Sequence, residues 1–177
     1  MSGSTEYALP FRRGSTYKDG STLTLSSTVG EAIVGRVYKT TDSNGKDLWL
    51  RAVRADAALT NVGGKPVSYT SGKLGKNVDA LTDADGEICS IVDDAYATTF
   101  DVEQYDIFYV VEQGDVDAAC ETDVNAAGIN LMCDASGDNI KTATAGYYIV
   151  AVSNEAVSDG IANVHVFGGL KPSDPAS

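Results

Sequence analysis

The chain of 177 residues has one histidine, three cysteines and four prolines. A zinc protease of the HExxH type needs two histidines one helical turn apart, so the single histidine, His165, excludes that class. The Gly-x-Ser-x-Gly elbow of the α/β-hydrolases is also absent from the sequence. The longest apolar stretch, residues 146–152, is far shorter than the roughly 20 residues of a membrane-spanning helix. We therefore predict that the protein is not an enzyme and has no membrane partner.

The three cysteines, Cys89, Cys120 and Cys133, are an odd number, and no two of them form a CxxC motif. This spacing indicates neither a zinc site nor a disulfide framework. Each cysteine follows a small or apolar residue, which favours buried free thiols. We predict no metal and no other cofactor.

Basic residues are scarce, and the formal net charge is −12. Residues 1–54 hold eight Lys and Arg against five Asp and Glu, whereas residues 55–177 hold five against twenty. Phosphate backbones repel so acidic a surface, so we predict no nucleic-acid partner. The uneven distribution suggests that the first third and the body of the chain meet different surroundings.

Residues 1–24 do not resemble core sequence, because Ser, Gly, Thr, Lys and Arg dominate them. Two interpretations remain open: a leader of no consequence, or an extended arm that docks onto a partner through a few anchors. The predicted anchors are three apolar side chains and two arginines, namely Tyr7, Leu9, Phe11, Arg12 and Arg13.

Short alternating runs bounded by Gly, Asn, Ser and Asp recur through the rest of the chain. In residues 161–167, Val164 and Val166 fall on one face and His165 and Phe167 on the other, which is typical of a strand with one buried face. Such runs, together with eighteen glycines, predict an all-β class. We expect one β domain, residues 25–177, built of short hairpins as a barrel or a sandwich.

Individual strands can be assigned from the same pattern. Residues 32–38 and 48–53 are predicted to form a hairpin, because Asn44-Gly45 between them tolerates the positive φ of a tight turn. Further strands are predicted at residues 107–111, with a turn at Gly114-Asp115, and at residues 147–152.

Acidic turns raise two chemical alternatives. Residues 83–87 and 134–138 each contain a fragment of an oxygen-ligand loop for calcium. A full EF-hand needs a further acidic ligand six residues after the glycine, and for Gly86 that position is Val92. Asp93 and Asp94, or Asp83 and Asp85, could form the acid and base of a carboxylate hydrolase. With 25 acidic residues in the chain, such pairs arise by chance, so solvated turns are the simpler interpretation of them.

The C-terminal portion carries a series of short motifs in a fixed order. They are Gly114-Asp115-Val116, Ile129-Asn130-Leu131, Asp134-x-x-Gly137, Ala145-Gly146, Val150-Ala151-Val152, Gly160 and Val164-His165-Val166. Over about one third of the chain, this series resembles the head-decoration (capsid cement) proteins of tailed bacteriophages.

The resemblance implies a β-barrel or β-tulip domain that forms a homotrimer on a capsid, with an N-terminal arm that orders on the shell. It implies a structural virion protein, made in the host cytoplasm and placed on the capsid exterior, that binds the major capsid protein lattice. The physics proposed for the arm is burial of its apolar anchors against the shell, with Arg12 and Arg13 meeting acidic shell groups.

A different class of function also fits the sequence. A β scaffold with exposed aromatic side chains, of which Tyr147, Tyr96 and Trp49 are candidates, could bind carbohydrate or a host surface. A role in the core or between strands is the simpler interpretation of each of these aromatics.

Overall fold

The computed structural model describes residues 9–18, 26–136 and 138–167, with side chains omitted for residues 26–29. One helix, α1 (Ser26–Ile33), precedes ten strands. The strands are β1 (Val37–Thr41), β2 (Asp47–Ala55), β3 (Pro66–Tyr69), β4 (Asn77–Leu81), β5 (Cys89–Val92), β6 (Ile107–Ala119), β7 (Asn130–Cys133), β8 (Ile140–Thr142), β9 (Ala151–Ser153) and β10 (Ile161–Val166). The predicted all-β class is confirmed. No helix in the described ranges is long and apolar enough to cross a membrane.

The strands form a single ten-stranded sheet in which β6 is shared by two groups. In the first group β2 pairs with β4, β4 with β3, β3 with β5, β5 with β6, and β6 with β2, so these pairings close a ring. Strand β1 lies on β2 outside this ring. The second group continues from β6 through β10, β9 and β7 to β8. Apart from the parallel β2–β4 pair, all of these pairings are antiparallel.

Strand β6 is the longest element, with 13 residues, and it continues where a turn was predicted. The Gly114-Asp115 prediction is therefore wrong. Gly114 has φ 126°, and a Cβ there would lie 2.9 Å from Leu48 Cδ1. The glycine thus lets β2 pass close to β6, next to a register shift at Trp49 and Leu50. It marks an irregularity within the sheet and not the end of a strand.

The predicted hairpin exists as β1 and β2, and its turn contains Gly45 at φ 77°. The expected strand at residues 32–38 is only partly correct, because Ile33 ends α1. Gly35, at φ 82°, then directs the chain into β1, and its N–H donates to Ala52 O at 2.7 Å. Short apolar runs do not distinguish buried helix from strand, which explains the error.

The final two strands show where alternation predicts well and where it does not. Val164 and Val166 are buried in β10 and His165 is half-buried, as predicted. Of the strand predicted at residues 147–152, only the end is strand, as β9. Tyr147 is 40% exposed and packs over Gly86, where a Cβ would lie 2.3 Å from the Tyr147 Cβ.

One continuous cluster of buried side chains connects both groups of strands. The largest of its fully buried members are Tyr96, Tyr109, Phe108, Leu48, Leu50, Ile91, Ile107, Leu131 and Ile140. The three cysteines are buried free thiols, as the sequence predicts. Burial raises the pKa of the Cys120 thiol to about 12, so this thiol stays protonated and unreactive at neutral pH.

Candidate functional site

Residues 9–18, here called the docking segment, lie against the domain's own surface. Phe11 stacks on Tyr109 with ring centroids 4.2 Å apart and an interplanar angle of 10°. The Tyr109 hydroxyl donates to Phe11 O at 3.1 Å, and Phe11 N approaches the same hydroxyl oxygen at 3.4 Å. Stacked aromatic pairs contribute about 0.5–1.5 kcal/mol beyond the area that they bury. Phe11 is therefore an anchor, and its partner within this chain is Tyr109.

Arg13 is the second anchor, and its partner is Asp93. Arg13 Nε donates to Asp93 Oδ2 at 2.8 Å, and Arg13 Nη2 donates to Asp93 Oδ1. The Asp93 side chain is fully buried, whereas that of Arg13 is 20% exposed. The hydrogen bond with Asp93 raises the pKa of Arg13, so the guanidinium stays charged at every accessible pH. Such a two-point contact between guanidinium and carboxylate is strong and geometrically specific.

The rest of the docking segment extends the contact along β6. Tyr17 forms a two-hydrogen-bond bridge with Ile107, at 2.8 and 2.9 Å. Lys18 Nζ lies 2.7 Å from Asp106 Oδ2 and 3.0 Å from Glu103 Oε2. Ser15 lies between Arg13 and Tyr17 in the sequence, and its backbone O accepts a hydrogen bond from the buried Tyr96 hydroxyl at 2.8 Å.

Gly14 allows the segment to lie this close to the domain. Its φ is +72°, and a Cβ would lie 2.4 Å from Ala95 O. Both facts favour glycine, because an L side chain would be strained by the backbone and would also collide with a carbonyl. Arg13 and Gly14 therefore fit one position on the domain, where Asp93 binds the guanidinium and the Ala95 carbonyl leaves no room for a side chain at residue 14.

The five predicted anchor residues have different positions. Tyr7 lies outside the described residues. Leu9 and Phe11 are partly buried against the core, Arg13 pairs with Asp93, and Arg12 is exposed. The expectation that this stretch leaves the domain is not met for residues 9–18, because the domain supplies an aromatic and a carboxylate that match its own anchors. Binding of a capsid by these five residues stays a prediction.

A cleft of about 590 Å³ opens beside Arg13. Its polar lining includes Asp94, Asp115, Asp117 and Asn163. Burial raises the pKa of Asp94, although its Oδ2 accepts a hydrogen bond from Asp117 N at 3.1 Å. Asn163 Nδ2 donates to Asp117 Oδ1 at 2.8 Å. These hydrogen bonds hold the carboxylates and the amide in place at the cleft wall.

Asp115 connects this cleft to the lone histidine. Lys46 Nζ lies 2.8 Å from Asp115 Oδ2, and His165 Nδ1 lies 2.7 Å from Asp115 Oδ1. The hydrogen bond from Lys46 is the main cause that lowers the pKa of Asp115, and His165 adds to it. The histidine therefore has a structural partner in the neighbouring strand.

The two acidic turns that suggested calcium meet in the structure. Lys141 Nζ lies between them, 2.8 Å from Asp85 Oδ1 and 2.5 Å from Asp134 Oδ1. The hydrogen bond from Lys141 is the main cause that holds the pKa of Asp134 far below its usual range. The ammonium group occupies the place between the carboxylates that a cation would take. Within the described ranges, no three acidic, histidine or cysteine side chains gather as a metal site.

The other predicted candidates are not brought together. Tyr96 is 2% exposed, so its ring is not available to stack on a ligand, whereas Trp49 is 37% exposed and lies under Lys39. Neither Trp49 nor Tyr147 lines the cleft. Asp93 is held by Arg13, which leaves no free carboxylate pair with Asp94 for acid–base chemistry.

Sequence reasoning missed Asp93 and Tyr109 as partners of the docking segment. The sequence does carry a signal for Asp93, which directly follows an apolar strand. An acidic side chain that is buried at such a position needs a cationic partner, because an unpaired buried charge is costly. No local pattern singles out Tyr109, since a tyrosine in an apolar strand is an ordinary core residue.

Four of the motifs that resemble phage head-decoration proteins come together in one part of the sheet. Gly114-Asp115-Val116 in β6 pairs residue for residue with Val164-His165-Val166 in β10. On the far side of β10, Val166 pairs with Ala151, and Ala151 pairs in turn with Leu131. Motifs separated by up to 50 residues thus lie on neighbouring strands of one sheet.

No protein-family model and no curated protein match the sequence. Among solved structures, the chain is similar to the N base of the head fiber gp8.5 of bacteriophage phi29, with 14% sequence identity and a TM-score of 0.43. The match covers 71% of this chain and 99% of that chain.

Proposed function

We propose that this protein is a structural virion component that decorates and stabilises a bacteriophage head by binding the outer surface of the major capsid protein lattice. The observation that carries the proposal is the pairing of Gly114-Asp115-Val116 with Val164-His165-Val166. Each motif alone is short enough to match decoration proteins by chance. Chance matches would have no reason to lie next to one another in the fold. The direct pairing of these motifs, continued by β9 and β7, supports a shared structural unit.

The physical properties needed for this role are a rigid scaffold and an outer surface that stays soluble. One continuous buried core and a net charge of −12 supply both. A homotrimer on the capsid exterior would bind more tightly than a single copy, even if each contact is weak. After one subunit has bound, the linked subunits meet their own sites at a high effective concentration. The proposal assigns no catalysis, no cofactor and no nucleic acid to this protein.

The two adjacent arginines receive different tasks in this proposal. Arg13 is held by Asp93 and stabilises the domain, whereas Arg12 is exposed and is available to acidic groups of a shell. Leu9 and Phe11 reach a shell only if the docking segment leaves its own domain. We therefore assign the first electrostatic contact with the capsid to Arg12.

Cosedimentation tests this proposal. Heads of the phage that encodes the protein, assembled without it, are mixed with the purified chain and pelleted. We expect saturable binding that weakens several-fold in Arg12→Glu, a variant that should keep wild-type unfolding behaviour because Arg12 is exposed. Folded wild-type protein that stays in the supernatant at all concentrations would refute the proposal.

A second candidate function is binding of a carbohydrate or of a host surface. The cleft of about 590 Å³ favours it. The carboxylates at its wall can accept hydrogen bonds from the hydroxyl groups of a sugar, and the side-chain amide can donate to them. A glycan array separates the two functions. Specific hits that disappear in Asn163→Ala would support this candidate, and an array without hits would remove it.

A further inference from the structure

We propose that the place on the domain where residues 9–18 lie is a peptide-binding site that also takes the docking segment of a second copy of this chain. Neighbouring copies would then exchange docking segments and be linked through them. This inference does not depend on the proposed function, because it concerns the isolated protein.

The contacts of the docking segment are made with residues distant in the chain. Phe11 and Tyr109 are 98 positions apart, and Arg13 and Asp93 are 80 positions apart. None of these contacts uses the covalent connection between segment and domain. A segment from another molecule can therefore make the same set of contacts with no new residue.

The site is selective for one short sequence. It offers a ring for an aromatic side chain and a buried carboxylate for an arginine two residues later. It then requires a glycine, because a Cβ at the next position would lie 2.4 Å from Ala95 O. The ligand class is thus a peptide of the form aromatic-x-Arg-Gly. In this chain only Phe11-Arg12-Arg13-Gly14 has that form.

A second copy is the occupant that the sequence itself provides. Each copy carries both the peptide and its site, so exchange leaves every site filled and every anchor paired. The cost relative to docking within one chain is the loss of the high effective concentration that a short connection gives, which is in the millimolar range. Exchange should therefore increase with protein concentration, and above all where copies are held side by side.

Zero-length cross-linking of isotopically mixed protein tests the inference. Lys18 Nζ lies 2.7 Å from a carboxylate oxygen of Asp106 and 3.0 Å from one of Glu103. A water-soluble carbodiimide activates the carboxyl group, and the lysine amine then forms an amide bond as the activating group leaves as a urea. Equal amounts of light and heavy full-length chains are mixed, incubated from micromolar to millimolar concentration, cross-linked and digested for mass spectrometry.

We expect cross-linked peptide pairs that combine a light and a heavy partner, rising with concentration towards about half of all pairs, the value for random exchange. Lys18→Arg should abolish the product while keeping the positive charge. Gly14→Ala should reduce light–heavy and same-isotope pairs together, because it disturbs the same site. Only same-isotope pairs at the highest concentration would overturn the inference. Absence of any Lys18 product in the wild-type chain would overturn the docking contact itself.

Discussion

Arg13 and Asp93, 80 positions apart in the sequence, meet in a two-point contact in which both Asp93 carboxylate oxygens accept from one guanidinium. The carboxylate is fully buried, so its charge has lost its water and depends on Arg13 for compensation. The docking segment is therefore part of the packed domain, and its removal would leave a buried charge unpaired.

The first prediction concerns this pair. Arg13→Ala should lower the free energy of unfolding by about 3 kcal/mol, near the lower end for breaking a buried ion pair, because Arg13 itself is 20% exposed. Urea denaturation measures the change. The matched control is the neighbouring, exposed Arg12, for which replacement by Ala should change stability by less than about 0.5 kcal/mol. Equal effects of the two replacements would contradict the assignment.

The second prediction separates stacking from burial at Phe11. Phe11→Leu keeps an apolar side chain but loses the stack on Tyr109, so it should cost about 1 kcal/mol. Phe11→Ala also loses the buried area of a partly buried ring and should cost about 2 kcal/mol. Thermal and urea unfolding of both variants provide the comparison. Two variants as stable as wild type would mean that the segment does not dock through this ring.

Much of the fold follows from the sequence, and the failures have identifiable causes. Strand β10 was predicted in place because its apolar side chains alternate and glycines bound it. The sequence predicts too short a strand β6, because Gly and Asp at positions 114 and 115 are typical of a turn. In the structure Gly114 instead gives Leu48 room to pack closely against the strand. Helix α1 was missed because a short apolar run fits either state.

Two residues of the docking segment stand out in the sequence, but their partners in the domain do not. Phe11 and Arg13 stand out in a polar stretch, so local composition identifies them as anchors. Their partners lie 80 and 98 positions away, and no local pattern in a single sequence reports which distant residues meet. The contacts of residues 9–18 with the chain's own domain are therefore visible only in the structure.

The third prediction is a pH dependence. The hydrogen bond from Lys141 holds the pKa of Asp134 below its unfolded value of about 3.9, so the pair's contribution is present above that pH. It is lost as the pH falls below about 4 towards the folded pKa, since protonation breaks the pair. Lys141→Gln should be less stable than wild type at neutral pH and should lose less stability on acidification.

Urea midpoints measured from neutral to strongly acidic pH check this difference. Lys65→Gln is the control, because its partner Asp138 is 56% exposed and such pairs contribute little. Parallel pH curves for wild type and Lys141→Gln would show that the pair does not have the assigned role.

The fourth prediction concerns a close backbone approach. A Cβ at Gly63 would lie 2.2 Å from Tyr96 O and 2.5 Å from Ala97 O, so Gly63→Ala should cost at least about 2 kcal/mol. Gly72→Ala is the control: its φ of +74° makes alanine unfavourable by about 1 kcal/mol, but the space around it is open. Urea unfolding should rank the two variants in that order. The reverse order would show that the backbone at Tyr96 and Ala97 moves away freely.

The proposed reinforcement of a capsid is tested most directly by the temperature at which DNA-filled phage heads, assembled without this protein, release their DNA. Dye fluorescence during heating reports the release. Addition of the purified protein should raise the release temperature by several degrees in a saturable manner, and Arg12→Glu should need more protein for the same rise. A release temperature unchanged at saturating protein would contradict the claim that the molecule reinforces a capsid.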